Sequence, residues 1–173
     1  MTNAIAIGVV LILLMPGSWW VSHTRLVAAR TDVEGGWADV DAELRRRHDL
    51  VPQLVAAVQA AAAHERELLV ELARRNEAAM AAPHTAPSAN RLEPRLGEAV
   101  ARVVALRERY PQLNSQANFL ELQRQLSITE DRIAAARRYY NTRVERLNRR
   151  VEAFPSGIVA RRHGFTKAEF FDG

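Results

Sequence analysis

The sequence predicts an all-α fold, an antiparallel four-helix bundle preceded by an N-terminal single-pass transmembrane helix. In four successive segments, apolar residues recur mainly at intervals of three and four, which places them along one face of a helix. No segment shows the two-residue alternation or the turn pairs that are typical of a β-sheet. A chain of 173 residues is long enough for one domain of ordinary size, so a single core is expected.

The composition excludes several classes of protein. The chain has no cysteine, which excludes disulfide scaffolds, thiol nucleophiles and cysteine metal sites. Its formal net charge of +4 comes from 24 basic and 20 acidic residues, and Lys167 is the only lysine. A GC-rich genome favours arginine and alanine in any case, so the net charge alone indicates no particular partner.

Residues 1–21 are predicted to be a membrane anchor. Residues 4–15 are all apolar, and the uncharged stretch continues through Pro16 and two tryptophans. Eighteen such residues reach about 27 Å as a helix, which is the lower limit for crossing a bilayer. Because tryptophan favours the headgroup boundary, we expect Trp19 and Trp20 to be interfacial anchors.

A cleaved secretory signal is the competing interpretation of this leader. Such signals begin with a positively charged region, whereas residues 1–3 carry no Lys or Arg, and the small residues at 27–29 lie late for a cleavage site. The flanking positive side chains, Arg25 and Arg30, both follow the apolar stretch. The positive-inside rule then places the N-terminus outside and the bundle in the cytoplasm.

The first two helices of the bundle are predicted to meet at Asp49. Gly35 and Gly36 are expected to weaken the first helix by roughly 1 kcal/mol each. Asp49 is expected to cap the second helix, which would run from about residue 50 to residue 82 with Pro52 in its first turn, where a missing N–H costs least. The predicted buried stripes are Leu26, Val33, Trp37, Val40 and Leu44, then Leu54, Val58, Ala61, Leu68, Leu72 and Ala79.

The third and fourth helices follow the loop at residues 83–90. Pro111 ends the third helix, and the fourth, longer helix shifts register by one residue after Tyr140. At about 54 Å against about 28 Å, the fourth helix outreaches the third, so its late part either packs on the first two helices alone or bends near Tyr140. The predicted stripes are Leu92, Leu96, Ala99, Val103, Leu106 and Tyr110, then Phe119, Leu122, Leu126, Thr129, Ile133, Ala136 and Tyr140, continued by Val144, Leu147, Val151 and Phe154.

The ordered motifs of this body resemble the LemA family. The resemblance is carried by residues 46–55 (RRHDLVPQLV), 64–65 (HE), 110–111 (YP), 118–123 (NFLELQ), 129–134 (TEDRIA), 136–141 (ARRYYN), 154–155 (FP) and 164–165 (GF). It covers nearly all of residues 25–171. The chain departs from the family pattern at Gly35-Gly36, where the family has ordinary helix formers, and at Ala61-Ala62, where it has Gly-Tyr.

The resemblance implies a bacterial membrane protein with one N-terminal span and a cytoplasmic four-helix bundle. No enzymatic activity is established for the family, and a divergent branch is associated with forming magnetosome membranes. We therefore expect an anchor at residues 1–21, a LemA-like bundle at 22–155 and a C-terminal tail at 156–173, in the bacterial inner membrane. For the tail, whose phenylalanines lie among basic residues, the membrane interface is one expected location.

The residues of catalytic and metal sites are not found in the sequence. No histidine has a glutamate three residues before it, and His64-Glu65 lacks the second histidine of a zinc-protease helix. We expect no catalytic residue, no metal and no cofactor, and read His48 as a solvated turn residue and Glu130 with Arg137 as ordinary surface ion pairing. The alternative is a cryptic enzyme or metal-binding bundle, which metal analysis of the purified protein would reveal.

The strongest charge signal is basic and lies toward the end of the chain. Nine arginines and only two glutamates occupy residues 132–162. In an up-down-up-down bundle the fourth helix returns toward the membrane, where each basic residue near an anionic leaflet contributes about 1 kcal/mol. The candidate contacts with the membrane surface or a partner are Arg137, Arg138, Arg143, Arg146, Arg149, Arg150, Arg161 and Arg162.

Other interpretations compete with contact between this basic region and a membrane or partner. The arginines also fit the solvated face of a long helix, and the tail phenylalanines also fit docking back onto the bundle. Nucleic acid is not expected, because no helix-turn-helix or base-stacking aromatic set is visible. The sequence thus predicts a membrane-anchored scaffold or adaptor, with lipid bound through the N-terminal helix and another membrane protein as partner.

Overall fold

The computed structural model describes the backbone of residues 2–173 and the side chains of residues 19–173. Within this range there are five α-helices and no β-strand. The helices are α1 (Thr2–Gln59), α2 (Arg66–Ala81), α3 (Ala86–Val104), α4 (Ala117–Glu152) and α5 (Ser156–Arg162), with 3-10 turns at Ala63–Glu65, Ala105–Glu108 and Pro111–Ser115. The all-α prediction is confirmed, and the short α5 is a helix that the sequence did not predict.

The predicted membrane anchor, residues 1–21, lies almost wholly outside the residues whose side chains are described. Among the residues that are described, no helix is both long and apolar enough to cross a bilayer.

The chain forms two compact units. On α1 the boundary between them follows Gly36, and on α4 it follows Tyr140. These are the positions at which the sequence carries its glycine pair and its shift of register. The first unit contains Met1–Gly36 and Asn141–Glu169, and the second contains Trp37–Tyr140 and Phe170–Gly173.

The second unit has a core to which α1, α2, α3 and α4 all contribute. Most of the predicted stripe residues are buried, which confirms the helical periodicity. On α2, Leu69 is the more deeply buried neighbour of the predicted Leu68. The fully buried members of this core are Leu54, Val58, Leu72, Leu96, Val103, Leu113 and Phe119.

The first unit packs the start of the bundle against the late part of α4. Arg150 Nη1 donates to the Arg25 carbonyl oxygen at 2.7 Å, which holds the end of α4 beside α1. The part of α4 after Tyr140 belongs to the same unit as the first part of α1. This explains how α4 can extend beyond the length of α3, because its last turns have α1 as a neighbour. The prediction that Phe154 is a core residue is wrong, since its side chain is 85% exposed.

The predicted helix break at Asp49 is also wrong, because α1 continues through Pro52 to Gln59. Proline lacks the N–H that would bond the carbonyl four residues earlier, which here belongs to His48. Asn76 on α2 replaces it, since its Nδ2 donates to the His48 carbonyl oxygen at 3.1 Å. A buried amide thus satisfies the group that Pro52 leaves unpaired, and the helix does not end there.

Candidate functional site

A cluster of charged side chains lies inside the second unit. Arg47 and His48 project from α1 toward Glu93 on α3, and all three are buried. Arg47 Nη1 donates to Glu93 Oε2 at 3.0 Å, and His48 Nε2 shares a hydrogen bond of 2.9 Å with Glu93 Oε1. One carboxylate therefore holds both basic side chains, one on each oxygen.

The cluster extends to α4 and α2. Arg47 Nη2 also pairs with Glu130 on α4, so the guanidinium bridges three helices. Asn76 joins the cluster from α2 through the His48 carbonyl. Arg47 Nε and Asn76 Oδ1 are buried without a hydrogen-bond partner among the described residues. Buried charges cost free energy unless they are paired, so this arrangement favours the one packing of the four helices that pairs them.

Sequence reasoning missed this cluster. The structure corrects the expectation that His48 is a solvated turn residue, because only 4% of it is exposed. Glu130 pairs with Arg47 across the bundle, not with Arg137 on the surface. One signal of the cluster was present in the sequence. Glu93 lies three residues before Leu96, so a charged residue falls on the apolar face of its helix. Arg47 likewise lies three residues after Leu44 on an apolar face, but the predicted helix end at Asp49 made it look like an ordinary basic residue of a last turn.

A second polar contact joins Glu65, in the 3-10 turn before α2, to Arg109 and Tyr110. Glu65 Oε1 accepts from Arg109 Nη1 at 2.8 Å and from the Tyr110 hydroxyl at 3.0 Å. The hydrogen bonds from Arg109 and Tyr110 lower the pKa of Glu65, and the Glu65 carboxylate raises the pKa of Tyr110. Two motifs that are 45 residues apart in sequence, His64-Glu65 and Tyr110-Pro111, therefore meet in the structure.

The predicted basic residues fall into two groups. Most have contacts within the protein, among them Arg138 and Arg143. Arg137 and Arg150 donate to main-chain carbonyls, and Arg149 pairs with Glu145 at 3.3 Å. The others are exposed and form no ion pair with a described residue; they are Arg146, Arg161 and Arg162.

The two predicted interfacial tryptophans differ in their surroundings. Trp19 is partly buried, and its ring meets the His163 ring edge-on with centroids 5.9 Å apart. Trp20 is 74% exposed. Residues that follow α5 thus pack beside Trp19 and His23 of α1, where His23 also contacts Phe165.

Several apolar and basic residues of the first unit are exposed on α1, after α4 and on α5. Phe154, in the turn between α4 and α5, and Ile158 on α5 are both exposed, as is Trp20 on α1. Arg161 and Arg162 follow on α5. We call this set the aromatic-basic end; it comprises Trp20, Phe154, Ile158, Arg161 and Arg162.

Among the described residues, no group of three or more His, Asp or Glu side chains is placed to hold a metal ion. The side chains of the buried cluster are hydrogen-bonded to one another, and Glu93 is bonded to both Arg47 and His48. The arrangement connects α1, α3 and α4 through paired charges.

Comparisons with known proteins match most of the chain. The model of the LemA family matches residues 36–173. Magnetosome protein MamQ 1 and Magnetosome protein MamQ 2 of Paramagnetospirillum magneticum are each 33% identical to this chain over 75 residues. That alignment covers 43% of this chain and 28% of each relative, so the chain matches a minor part of their length.

Proposed function

This chain belongs to the LemA family, and on that premise we propose that it is a membrane-anchored, non-catalytic scaffold or adaptor. In this proposal residues 1–21 span the bacterial inner membrane with the N-terminus outside, and the helical bundle lies in the cytoplasm. The scaffold rests at the lipid surface and binds another membrane protein. The similarity to two magnetosome proteins supports a role at a membrane.

The observation that carries the proposal is the aromatic-basic end. Trp20 and Phe154 are 74% and 85% exposed, and Arg161 and Arg162 in the same unit are exposed without an ion pair to a described residue. Trp20, a member of this set, lies on α1 just after the apolar residues of the leader. Aromatic rings with arginines favour the boundary between lipid headgroups and acyl chains, where each arginine gains about 1 kcal/mol from an anionic leaflet.

We predict that a probe at Ile158 reports contact with lipid. Because the chain has no cysteine, Ile158→Cys in the full-length protein can be labelled with an environment-sensitive fluorophore. In nanodiscs containing anionic lipid, we expect a blue-shifted emission and quenching by a spin label attached to the lipid headgroup. Replacing Arg161 and Arg162 with glutamine is expected to reduce both effects.

The matched control is Val70→Cys, which places the same fluorophore at an exposed position on α2 in the second unit. This probe should keep the emission of an aqueous surface and escape the quencher. Equal quenching at residues 70 and 158, or no difference between anionic and neutral nanodiscs, would contradict contact between the aromatic-basic end and lipid.

The scaffold part of the proposal is tested by photo-crosslinking in native membranes. Amine crosslinkers are a poor choice because Lys167 is the only lysine. We expect a photoreactive amino acid at Arg146, which is exposed on α4, to capture the same membrane protein reproducibly, as identified by mass spectrometry. Capture of lipid alone at Arg146 and at other exposed positions would reject the protein-binding scaffold.

A further inference from the structure

Residues 170–173 contact side chains of α1, α3 and α4 within the second unit. The Phe171 side chain is fully buried, and its ring meets the Trp37 ring edge-on, with centroids 5.7 Å apart and planes at 88°. Trp37 in turn contacts the Tyr140 ring at 5.4 Å. The docking of a tail phenylalanine, which the sequence left open, is therefore observed for Phe171.

The aromatic pocket is held in place by hydrogen bonds of its own. Trp37 Nε1 donates to the His84 carbonyl oxygen at 2.8 Å, and His84 Nδ1 bonds Asp41 Oδ1 at 2.9 Å. The Trp37 ring is thus oriented by contacts that do not involve Phe171. A pocket that is oriented independently of its occupant needs little rearrangement to accept another one.

Asn90 forms hydrogen bonds to the main chain on both sides of Phe171. Its Nδ2 donates to the Phe170 carbonyl oxygen at 2.9 Å, and its Oδ1 accepts from the Asp172 N–H at 2.8 Å. These two main-chain groups belong to the same edge of an extended segment. Asn90 therefore recognises an extended backbone whatever its side chains, and the aromatic pocket selects the phenylalanine between them.

Arg137 recognises the residues after the phenylalanine. Its Nη1 donates to the Asp172 carbonyl oxygen at 2.5 Å and lies 3.5 Å from the Gly173 carbonyl oxygen. Gly173 has a φ of +65°, a backbone conformation that residues with a side chain rarely adopt. These contacts and this backbone conformation therefore suit the order phenylalanine, any residue, glycine.

We propose that Trp37, Asn90, Arg137 and Tyr140 form a peptide-binding site for an extended segment of a partner protein with the pattern Phe-x-Gly. Residues 170–173 occupy this site in cis until such a segment displaces them. The inference rests on the proposed scaffold function and deepens it by stating which peptide chemistry the scaffold recognises.

The cis segment is suited to exchange because most of its residues are exposed. Phe170 and Asp172 are exposed, and residues 165–173 form no regular secondary structure. Within the segment, the Phe171 side chain is buried, and the main chain is bonded to Asn90 and Arg137. A tethered segment acts at an effective concentration of about millimolar, so it lowers the apparent affinity for a free peptide without abolishing it.

The test uses a fluorescein-labelled peptide with the sequence of residues 168–173 (AEFFDG) and the full-length chain in detergent. We expect fluorescence anisotropy to show binding to the Phe171→Ala chain that is at least about tenfold tighter than binding to the unaltered chain. The matched variant Phe170→Ala, which alters the exposed neighbour, should bind as the unaltered chain does. Adding Asn90→Ala to the Phe171→Ala chain should abolish binding.

A second measurement needs no variant. Because the Asp172 amide is bonded to Asn90, excess unlabelled peptide should speed hydrogen exchange of residues 170–173 in the unaltered chain. A peptide with alanine in place of the inner phenylalanine should leave exchange unchanged. No acceleration at millimolar peptide, together with no binding to a folded Phe171→Ala chain, would overturn the proposal.

The remaining outcome concerns a second copy of this chain as the occupant. Dimers of the unaltered chain that disappear in Phe171→Ala would show exchange between copies and overturn the assignment to a partner protein. The peptide assay contains neither lipid bilayer nor partner, so its failure leaves the results at Ile158 and Arg146 standing. Failure of those experiments likewise leaves the peptide site intact.

Discussion

Replacing Glu93 with leucine is expected to destabilise the protein by about 3 kcal/mol. Glu93 is the partner of both Arg47 and His48, at 3.0 and 2.9 Å, and all three are buried. Without the carboxylate, the Arg47 guanidinium stays buried with Glu130 as its remaining partner. We place the loss at the lower end of the range for breaking a buried ion pair because that second pair persists.

The measurement is denaturant unfolding of the full-length chain in detergent, followed by circular dichroism. The informative control is the double variant Arg47→Met, Glu93→Leu, which removes the buried guanidinium together with its partner. Apolar residues of similar volume often replace a buried pair at little cost, so the double variant should be more stable than Glu93→Leu alone. Additive losses from the two substitutions would contradict the coupling between these side chains.

Phe119→Ala is expected to cost about 3–5 kcal/mol. Phe119 lies at the start of α4, is fully buried and belongs to the main apolar core of the second unit. Truncation removes a large ring from a closely packed interior, and the loss combines the transfer free energy of the ring with the cost of the cavity. Urea unfolding monitored by tryptophan fluorescence would measure the shift in midpoint.

Phe154→Ala is the matched control for this truncation. The side chain changes in the same way, but Phe154 is exposed in the turn between α4 and α5, so the free energy of unfolding should change by no more than about 0.5 kcal/mol. Equal losses at residues 119 and 154 would mean that the assignment of the core is wrong. The comparison also separates stability from the proposed lipid contact, because Phe154 belongs to the aromatic-basic end and Phe119 does not.

The helical periodicity was readable from the sequence because it depends on local spacing. Leu96 and Val103 on α3, like Leu122 and Leu126 on α4, are buried as the intervals of three and four predict. The unit boundary on α4 also coincides with the predicted register shift after Tyr140. The prediction failed at Phe154, where the stripe reaches the turn before α5 and no partner helix covers it.

The break predicted at Asp49 shows how a distant residue overrides a local signal. Pro52 removes one main-chain donor, which by itself favours a helix end. Asn76, 28 residues away from His48, supplies the missing hydrogen bond. No local pattern identifies that partner, because the two helices meet only in the folded chain.

Local spacing alone therefore decided that this protein is helical and which faces of its helices are buried, since the hydrophobic effect acts on any apolar stripe. The motifs of the LemA family can also be recognised from the sequence without the structure. Tertiary packing alone decided that Arg47, His48 and Glu93 are buried together and that Asn90 holds the segment around Phe171. Charged and polar groups gain their partners only when helices distant in sequence come within hydrogen-bonding distance, and the cost of leaving such groups unpaired selects that packing.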